Sequence, residues 1–233
     1  ALARVLAKDA KALSEAGVRI IQIDEPFLAG YPDQVPLAVK AFNTIFDTID
    51  HEKTVCAVHV CYGNRNARPL WEGHYDFLFP RIMDANIDQL VLEFARKGYD
   101  DLELIKKYVA KNGISLGLGV INVKNNDVET PEEIAARIRR ALRVLPPERI
   151  MVNPDCGLRN LPSDIALAKL AVVAVLQTLE VDMTDDRCDL LEAGTGQGAH
   201  RLPSRRHSAG AGRRRGRDGR SRAGDMRHGC ARP

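Results

Sequence analysis

The sequence predicts an α/β fold of the parallel (β/α)8 TIM-barrel type, and two observations lead to it. Short β-branched apolar runs alternate with helical patterns, which is typical of parallel β/α units. Polar side chains also cluster where each predicted strand ends, and in a (β/α)8 barrel the active site forms at that face. These side chains are Asp24, His59, Cys61, Glu93, Asn122, Asp155 and Cys156. A doubly wound sheet would need a Gly-rich phosphate turn after an early strand, whereas the glycine-rich run at 194–198 follows a helix and is typical of a linker.

Five strands are predicted, and period-two alternation of apolar and polar residues supports the first of them. In that strand Ile21 and Ile23 face one way, and Gln22 and Asp24 face the other. The five strands are expected at residues 18–24, 53–61, 87–93, 115–121 and 149–153. Helices are expected between them, at residues 2–15, 36–49, 69–85 with a break near Phe79-Pro80, 99–111, 130–145 and 163–181.

Two of these helices have clear boundary signals. The first carries an apolar side made of Leu2, Val5, Leu6 and Leu13, and Gly17 is expected to end it. The helix after the fourth strand begins with a Thr130 cap, Pro131 at its first position and acidic residues in its first turn.

Composition separates the chain into two parts. Hydrophobic residues make up 45% of the 233 residues, which predicts a mostly globular chain. The net charge is +3, but the residues from His200 onward include eleven Arg and two Asp, so residues 1–199 are acidic. We therefore expect a partial barrel over residues 1–182, followed by a linker and a disordered Arg/Gly-rich tail over residues 183–233.

The cysteines and the apolar segments bear on the cellular compartment. The five cysteines have no disulfide-scaffold spacing and are expected to be reduced. No signal peptide opens the sequence, and no apolar run is long enough to cross a membrane. These features predict a cytoplasmic protein without a membrane partner.

The segment 57–62, AVHVCY, is the strongest chemical signal in the chain. His59 and Cys61 stand two residues apart on a strand, so their side chains point to the same face. Imidazole and thiolate are ligands that zinc prefers, although a buried histidine beside a buried thiol is the alternative interpretation. Cys56 has the opposite parity and is expected to pack in the core.

Five strand-end motifs together resemble the C-terminal catalytic domain of cobalamin-independent methionine synthase. The motifs are IDEP (23–26), HVCYG (59–63), LEFAR (92–96), LGLGV (116–120) and NPDCGL (153–158). The resemblance covers residues 1–182 and implies a (β/α)8 barrel with a catalytic zinc, of which this chain would hold the last five β/α units. It implies His59, Cys61, Glu93 and Cys156 as zinc ligands, and Asp24 as the residue that binds the substrate amino group.

Taken one by one, these residues also have structural interpretations. Glu93 would be a partner for Arg96, Asp24 would cap the next loop, and Cys156 would fill space beside a turn. As a set, two thiolates, an imidazole and a carboxylate form a tetrahedral site that keeps a substrate thiolate nucleophilic.

The sequence departs from the family pattern at two places. The segment 27–30 has no acid where long members carry a folate-binding glutamate, and the segment 121–124 has no histidine where the family has its proton donor. Lys124 lies nearest that position and is the candidate catalytic residue. The methyl donor is therefore left open between a folate and another compound.

The expected function is zinc-dependent methyl transfer to the thiol of homocysteine, giving methionine. The partners would be this small-molecule thiol and a methyl donor. One alternative is zinc-dependent alkyl transfer to another thiol, such as thiol addition to an epoxide. Another is a non-catalytic fragment whose basic tail binds polyanions, although base-stacking aromatic residues are absent from that tail.

Overall fold

The computed structural model describes residues 1–181 and 190–192. Helices and strands alternate along it, in the order α1 (Leu2–Glu15), β1 (Ile20–Glu25), α2 (Val35–Phe46), β2 (Val55–Val60), β3 (Gln89–Leu92), α3 (Leu102–Leu104), β4 (Ser115–Ile121), α4 (Pro131–Leu142), β5 (Ile150–Pro154), α5 (Ser163–Thr178), β6 (Leu179–Val181) and β7 (Leu190–Glu192). The residues that make up the predicted tail lie outside the described residues, except for the short strand β7.

Strands β1 to β5 form one parallel sheet in which each strand is hydrogen-bonded to the next along the chain. This neighbour-to-neighbour order is that of consecutive barrel strands, and it aligns the strand ends. Asp24 pairs with His59, and His59 pairs with Val91. The predicted α/β fold of the barrel type is confirmed, with five β/α units in the described residues.

The two faces of the sheet have different compositions. Cys56, Val58 and Val60 of β2 point toward the helices and belong to the main hydrophobic core. Ala57 and His59 are also buried but lie on the opposite face, outside that core. The period-two assignment of β2 is therefore correct, and it directs the chemistry-bearing side chains away from the helices.

The segment between β2 and β3 differs from the prediction. The helix expected over residues 69–85 is absent, and two short 3₁₀ helices occur instead, at Tyr75–Leu78 and Arg81–Asp84. Phe79 between them is extended, which is the conformation that a following proline favours. The predicted break near Pro80 was right, but the helix around it was wrong.

Two other helices have different limits from those predicted. The helix expected over residues 99–111 is a short α-helical turn, α3, that continues as a π-helix over Ile105–Val109. The helix expected to reach residue 181 ends at Thr178, and β6 then pairs antiparallel with β7. Strands β6 and β7 are too short for a period-two alternation of apolar and polar residues to tell them apart from the helix before them.

Helix α1 has the predicted bounds, but the side of the helix that carries its large apolar residues is not the side that packs against the core. Leu2, Val5, Leu6 and Leu13 are all exposed, whereas Ala7 and Ala10 face the core.

None of the helices within the described residues is long and apolar enough to cross a bilayer.

Candidate metal centre

Three soft donor atoms converge at the C-terminal edge of the sheet. They belong to His59 near the end of β2, Cys61 just after it, and Cys156 in the loop after β5, and they all lie within 4.8 Å of one another. His59 and Cys61 are buried, and Cys156 is partly buried. The structure thus brings together three of the four predicted metal ligands.

The ring of His59 is oriented by its neighbour strand. Its Nδ1 lies 3.2 Å from the carbonyl oxygen of Val91, an acceptor, so Nδ1 carries the proton and Nε2 keeps its lone pair. Nε2 is buried and has no hydrogen-bond partner among the described residues. A histidine held in this way by a backbone carbonyl is the usual arrangement of a metal ligand. The donor set therefore fits a zinc ion.

A hydrogen bond joins the thiols of Cys61 and Cys156, and it shifts their pKa values in opposite directions. Hydrogen bonding from Cys61 lowers the pKa of Cys156 to about 4, and the same contact raises the pKa of Cys61. Burial lowers the pKa of His59, but the nearby Cys156 sulfur and the carboxylates of Asp24 and Glu93 outweigh it and raise the pKa overall. The imidazole of His59, the two sulfur atoms and the Glu93 carboxylate are thus close enough to influence one another's pKa values.

Glu93, the fourth predicted ligand, lies outside this group of three. It follows β3 directly and is buried, and its Oε1 accepts a hydrogen bond from the ammonium of Lys124. Burial raises the pKa of Glu93, and the Lys124 charge opposes that shift. The expected alternative partner, Arg96, is instead paired with Glu72 through two 3.0 Å bonds.

Asp24 lies at the end of β1 on the same face as His59. Its register partner is His59, and its Oδ1 accepts a 2.8 Å bond from Gln22. The side chain is exposed, so it is accessible to a solute. The alternative role as a loop cap belongs to Glu25, whose Oε2 accepts bonds from the backbone N–H groups of Phe27 and Leu28.

Sequence reasoning listed Asp155 as a strand-end residue but assigned it no role. Its fully buried carboxylate accepts three backbone N–H bonds, from Phe94, Ala95 and Arg96, at 2.8–2.9 Å. These bonds tie the loop that follows Glu93 to the residue immediately before Cys156. Asp155 therefore fixes the distance between two predicted ligands.

Tyr75 was also missed, because it lies where a helix was expected. Its hydroxyl donates to the carbonyl oxygen of Val60 at 2.9 Å and accepts from the backbone N–H of Glu93 at 3.0 Å. It thereby joins the ends of β2 and β3. Its role as a link between the two strands is visible only from its position in the fold, because an isolated tyrosine in a sequence does not indicate such a role.

The glycines of the LGLGV motif make room for this arrangement. A Cβ on Gly119 would overlap the Asp155 carboxylate and approach the Leu92 carbonyl oxygen to 2.9 Å. A Cβ on Gly117 would lie 2.7 Å from a methyl group of Val91. Strand β4 therefore needs glycine where the carboxylate of Asp155 crosses it.

A second cluster lies at the opposite end of β2, where His51, Cys56 and Asp88 meet. His51 Nδ1 is 2.7 Å from Asp88 Oδ2, and its Nε2 is 3.3 Å from the carbonyl oxygen of Phe46. Both ring nitrogens face acceptors, so the ring is protonated, and contact with Asp88 raises its pKa to about 10. This protonated state disfavours a metal, since a metal ligand must be neutral imidazole.

The chain is similar to known proteins over most of its described length. A family model described as the catalytic domain of cobalamin-independent synthase matches residues 1–177. Methionine synthase of Pyrococcus abyssi is 39% identical over 169 residues, which is 72% of this chain and 45% of that protein. Methionine synthase of Thermococcus kodakarensis is 38% identical over the same length, covering 46% of that protein. The chain thus spans about half the length of these curated relatives.

Solved structures agree with the sequence comparisons. A B12-independent methionine synthase from Shewanella sp. W3-18-1, in complex with selenomethionine, matches 75% of this chain and 52% of that chain, with a TM-score of 0.66 and 28% identity. A putative vitamin-B12-independent methionine synthase from Listeria monocytogenes has a TM-score of 0.55 and, at 22% identity, shows the shared fold. Because the family model covers most of the chain, this protein belongs to the cobalamin-independent synthase catalytic-domain family.

Proposed function

We propose that this chain carries the zinc-binding part of a methionine synthase barrel and acts in methyl transfer to the thiol of homocysteine. The observation that supports the proposal most is the convergence of His59, Cys61 and Cys156 within 4.8 Å at one sheet edge. The relatives' names and the selenomethionine in the Shewanella structure, a selenium analogue of methionine, favour this reaction over thiol addition to an epoxide.

The residues of the site have distinct roles in this proposal. His59, Cys61 and Cys156 would hold the zinc, and the buried Glu93, whose Oε2 has no hydrogen-bond partner among the described residues, would be the fourth donor. Zinc, when bound, would lower the pKa of the incoming thiol and so keep it as a nucleophilic thiolate. Asp24, exposed on the same face as His59, would bind the amino group of homocysteine.

The chain's own residues also exclude water and provide a candidate acid. Cys61, Glu93 and the Lys124 side chain are almost fully buried, so charges in the site act in a medium of low dielectric constant. Lys124 is the cation nearest to Glu93 and is our candidate proton donor. Reduced thiols suit the cytoplasm, which is where we place this activity.

Metal analysis and thiol binding test the proposal. The purified chain should contain about one zinc per molecule, and Cys61→Ser should contain much less. With cobalt in place of zinc, homocysteine should change the visible spectrum, whereas serine should not. A chain that binds neither metal, or a cobalt spectrum that homocysteine leaves unchanged, would contradict the proposed function.

A further inference from the structure

The Glu93 carboxylate is paired with Lys124, and it lies near enough to the converging donors for its charge to raise the pKa of His59 and of Cys61. Both side chains are almost fully removed from water, with 0% and 2% of the side-chain surface exposed. A buried carboxylate without a cationic or hydrogen-bonding partner is strongly unfavourable, so Glu93 needs a partner in every state of the site. Lys124 provides it in this structure through Oε1.

The other oxygen of Glu93 has no such partner. Glu93 Oε2 is buried and accepts no hydrogen bond from any described residue, just as His59 Nε2 is buried and unpartnered. Two unpartnered lone pairs, one on each of two neighbouring strands, are what a cation between them would satisfy. The Glu93 carboxylate thus has Lys124 as the partner of one oxygen, and its other oxygen is left to accept from a cation.

The backbone of Lys124 is fixed by its own loop. Its N–H donates to Asn122 Oδ1 at 2.9 Å, and the N–H of Asn122 donates to Glu129 Oε1 at 2.7 Å. Glu129 is in turn held by Lys169 at 2.9 Å. The ammonium is therefore delivered to Glu93 from an ordered turn after β4, and its position does not depend on a surface rotamer.

From these contacts we propose that Lys124 and the metal ion compete for the carboxylate of Glu93, so that Lys124 sets the metal affinity of the site. This inference rests on the proposed function, because it assumes a metal bound by His59, Cys61 and Cys156. A carboxylate that leaves the metal has Lys124 as a ready partner. Glu93 is then an exchangeable fourth donor, in contrast to the two cysteines.

A double-mutant cycle on Lys124 and Glu93 tests the competition. Zinc affinity is measured against a chromophoric chelator for the wild type, Lys124→Met, Glu93→Gln and the double variant. Lys124→Met should bind zinc roughly tenfold more tightly or better, the scale of effect known for residues next to metal ligands. In the Glu93→Gln background the same change should have little effect, because no carboxylate is left to compete for.

The Glu93→Gln background separates competition from simple charge repulsion, and two further variants serve as controls. Lys124→Arg keeps the positive charge and should stay near the wild-type affinity. Lys97→Met removes another largely buried cation, one that pairs with Glu72 at 3.4 Å, and should leave zinc affinity unchanged. Equal tightening by Lys124→Met with and without Glu93, or no tightening at all, would overturn the proposal.

The outcomes also distinguish this inference from the proposed function. If the wild type binds one zinc and Lys124→Met leaves that affinity unchanged, the metal site stands and the competition fails. If none of the four chains binds zinc or cobalt, both ideas are overturned together.

Discussion

Single residues at the C-terminal edge of the sheet set the geometry of the candidate site. Asp155 connects the loop after Glu93 to the residue before Cys156, and Gly119 leaves the space that its carboxylate occupies. The positions of the candidate ligands thus depend on residues outside the candidate ligand set.

Gly119→Ala is expected to lower both stability and zinc content. The added methyl would overlap the Asp155 carboxylate, so the free energy of unfolding should fall by about 1–3 kcal/mol, the usual cost of overpacking. Gly157→Ala is the matched control, since its added Cβ would meet no atom within 4 Å. Urea unfolding and metal analysis of the two variants check the prediction, and equal effects would contradict it.

Variants of the predicted site residues are expected to separate metal binding from substrate binding. Cys61→Ser and Cys156→Ser should lose zinc and activity, whereas Glu93→Gln should reduce activity less. Asp24→Asn should keep its zinc and raise KM for homocysteine, because Asp24 lies exposed at the edge and outside the group of converging donors. Loss of zinc from Asp24→Asn would show that this division of roles is wrong.

At the scale of the element, charged side chains join segments that the hydrogen bonds of the sheet do not connect. Protonated His51 bridges Asp88, just before β3, and the carbonyl oxygen of Phe46 at the end of α2. Asp88 Oδ2 also accepts the N–H of Cys56 in β2 at 2.8 Å. Cys56 was predicted as a core residue, and it is one, but its strand is anchored by this ion pair.

Stability should therefore depend on pH through His51. Its pKa is raised from 6.5 to about 10 in the folded chain, so its stabilising contribution is complete below about pH 6.5 and is lost as the pH rises toward 10. The difference in unfolding free energy between the wild type and His51→Gln should shrink over that interval. Urea titrations of both proteins at several pH values measure it, and a difference that grows with pH would contradict the assignment.

Helix α5 is held to the turn after β4 by a buried ion pair. Lys169 is fully buried and lies 2.9 Å from Glu129, which also contacts Arg137. Lys169→Met should cost about 3–5 kcal/mol of unfolding free energy, because it leaves a buried carboxylate short of a counter-charge. Lys11→Met removes an exposed pair on α1 and should cost about 1 kcal/mol or less. Similar thermal unfolding temperatures for the two variants would refute the prediction.

At the scale of the whole molecule, one face of the sheet is apolar and the other carries the candidate metal ligands. Apolar side chains of alternate strand positions pack under the helices, and the donors lie on the other face at the strand ends. Beyond this sheet, large apolar residues of α1 and α5 are exposed, including Leu2, Leu13 and Leu167. The buried contacts of α1 come from its small residues.

Substitutions on the two sides of α1 should therefore differ in their effect on stability. Leu13→Gln, at an exposed position, should leave the unfolding temperature nearly unchanged and improve solubility by removing exposed apolar surface. Ala10→Gln, at a buried position, should destabilise the chain by about 1–3 kcal/mol through overpacking. Calorimetry with a solubility measurement checks both, and a more damaging Leu13→Gln would contradict the observed orientation of the helix.

The sequence alone determined the features that local chemistry encodes. Alternating strand and helix patterns predicted the parallel sheet, the capping signals at Thr130 predicted the start of α4, and the spacing of His59 and Cys61 placed both on one face. The motif order predicted the family. The strand and helix patterns, the cap and the His59–Cys61 spacing each follow from a short stretch of neighbouring residues, because backbone periodicity and capping act within a few positions.

Only the tertiary structure decided what depends on residues distant in the chain. It placed Cys156 beside Cys61, paired Glu93 with Lys124 rather than Arg96, and gave Asp155 and Tyr75 their positioning roles. It also buried the small side of α1 in place of the large apolar one. The physical reason is that burial and electrostatic pairing depend on which strand ends meet in space. A sequence pattern does not give the distance between residues that are far apart in the chain.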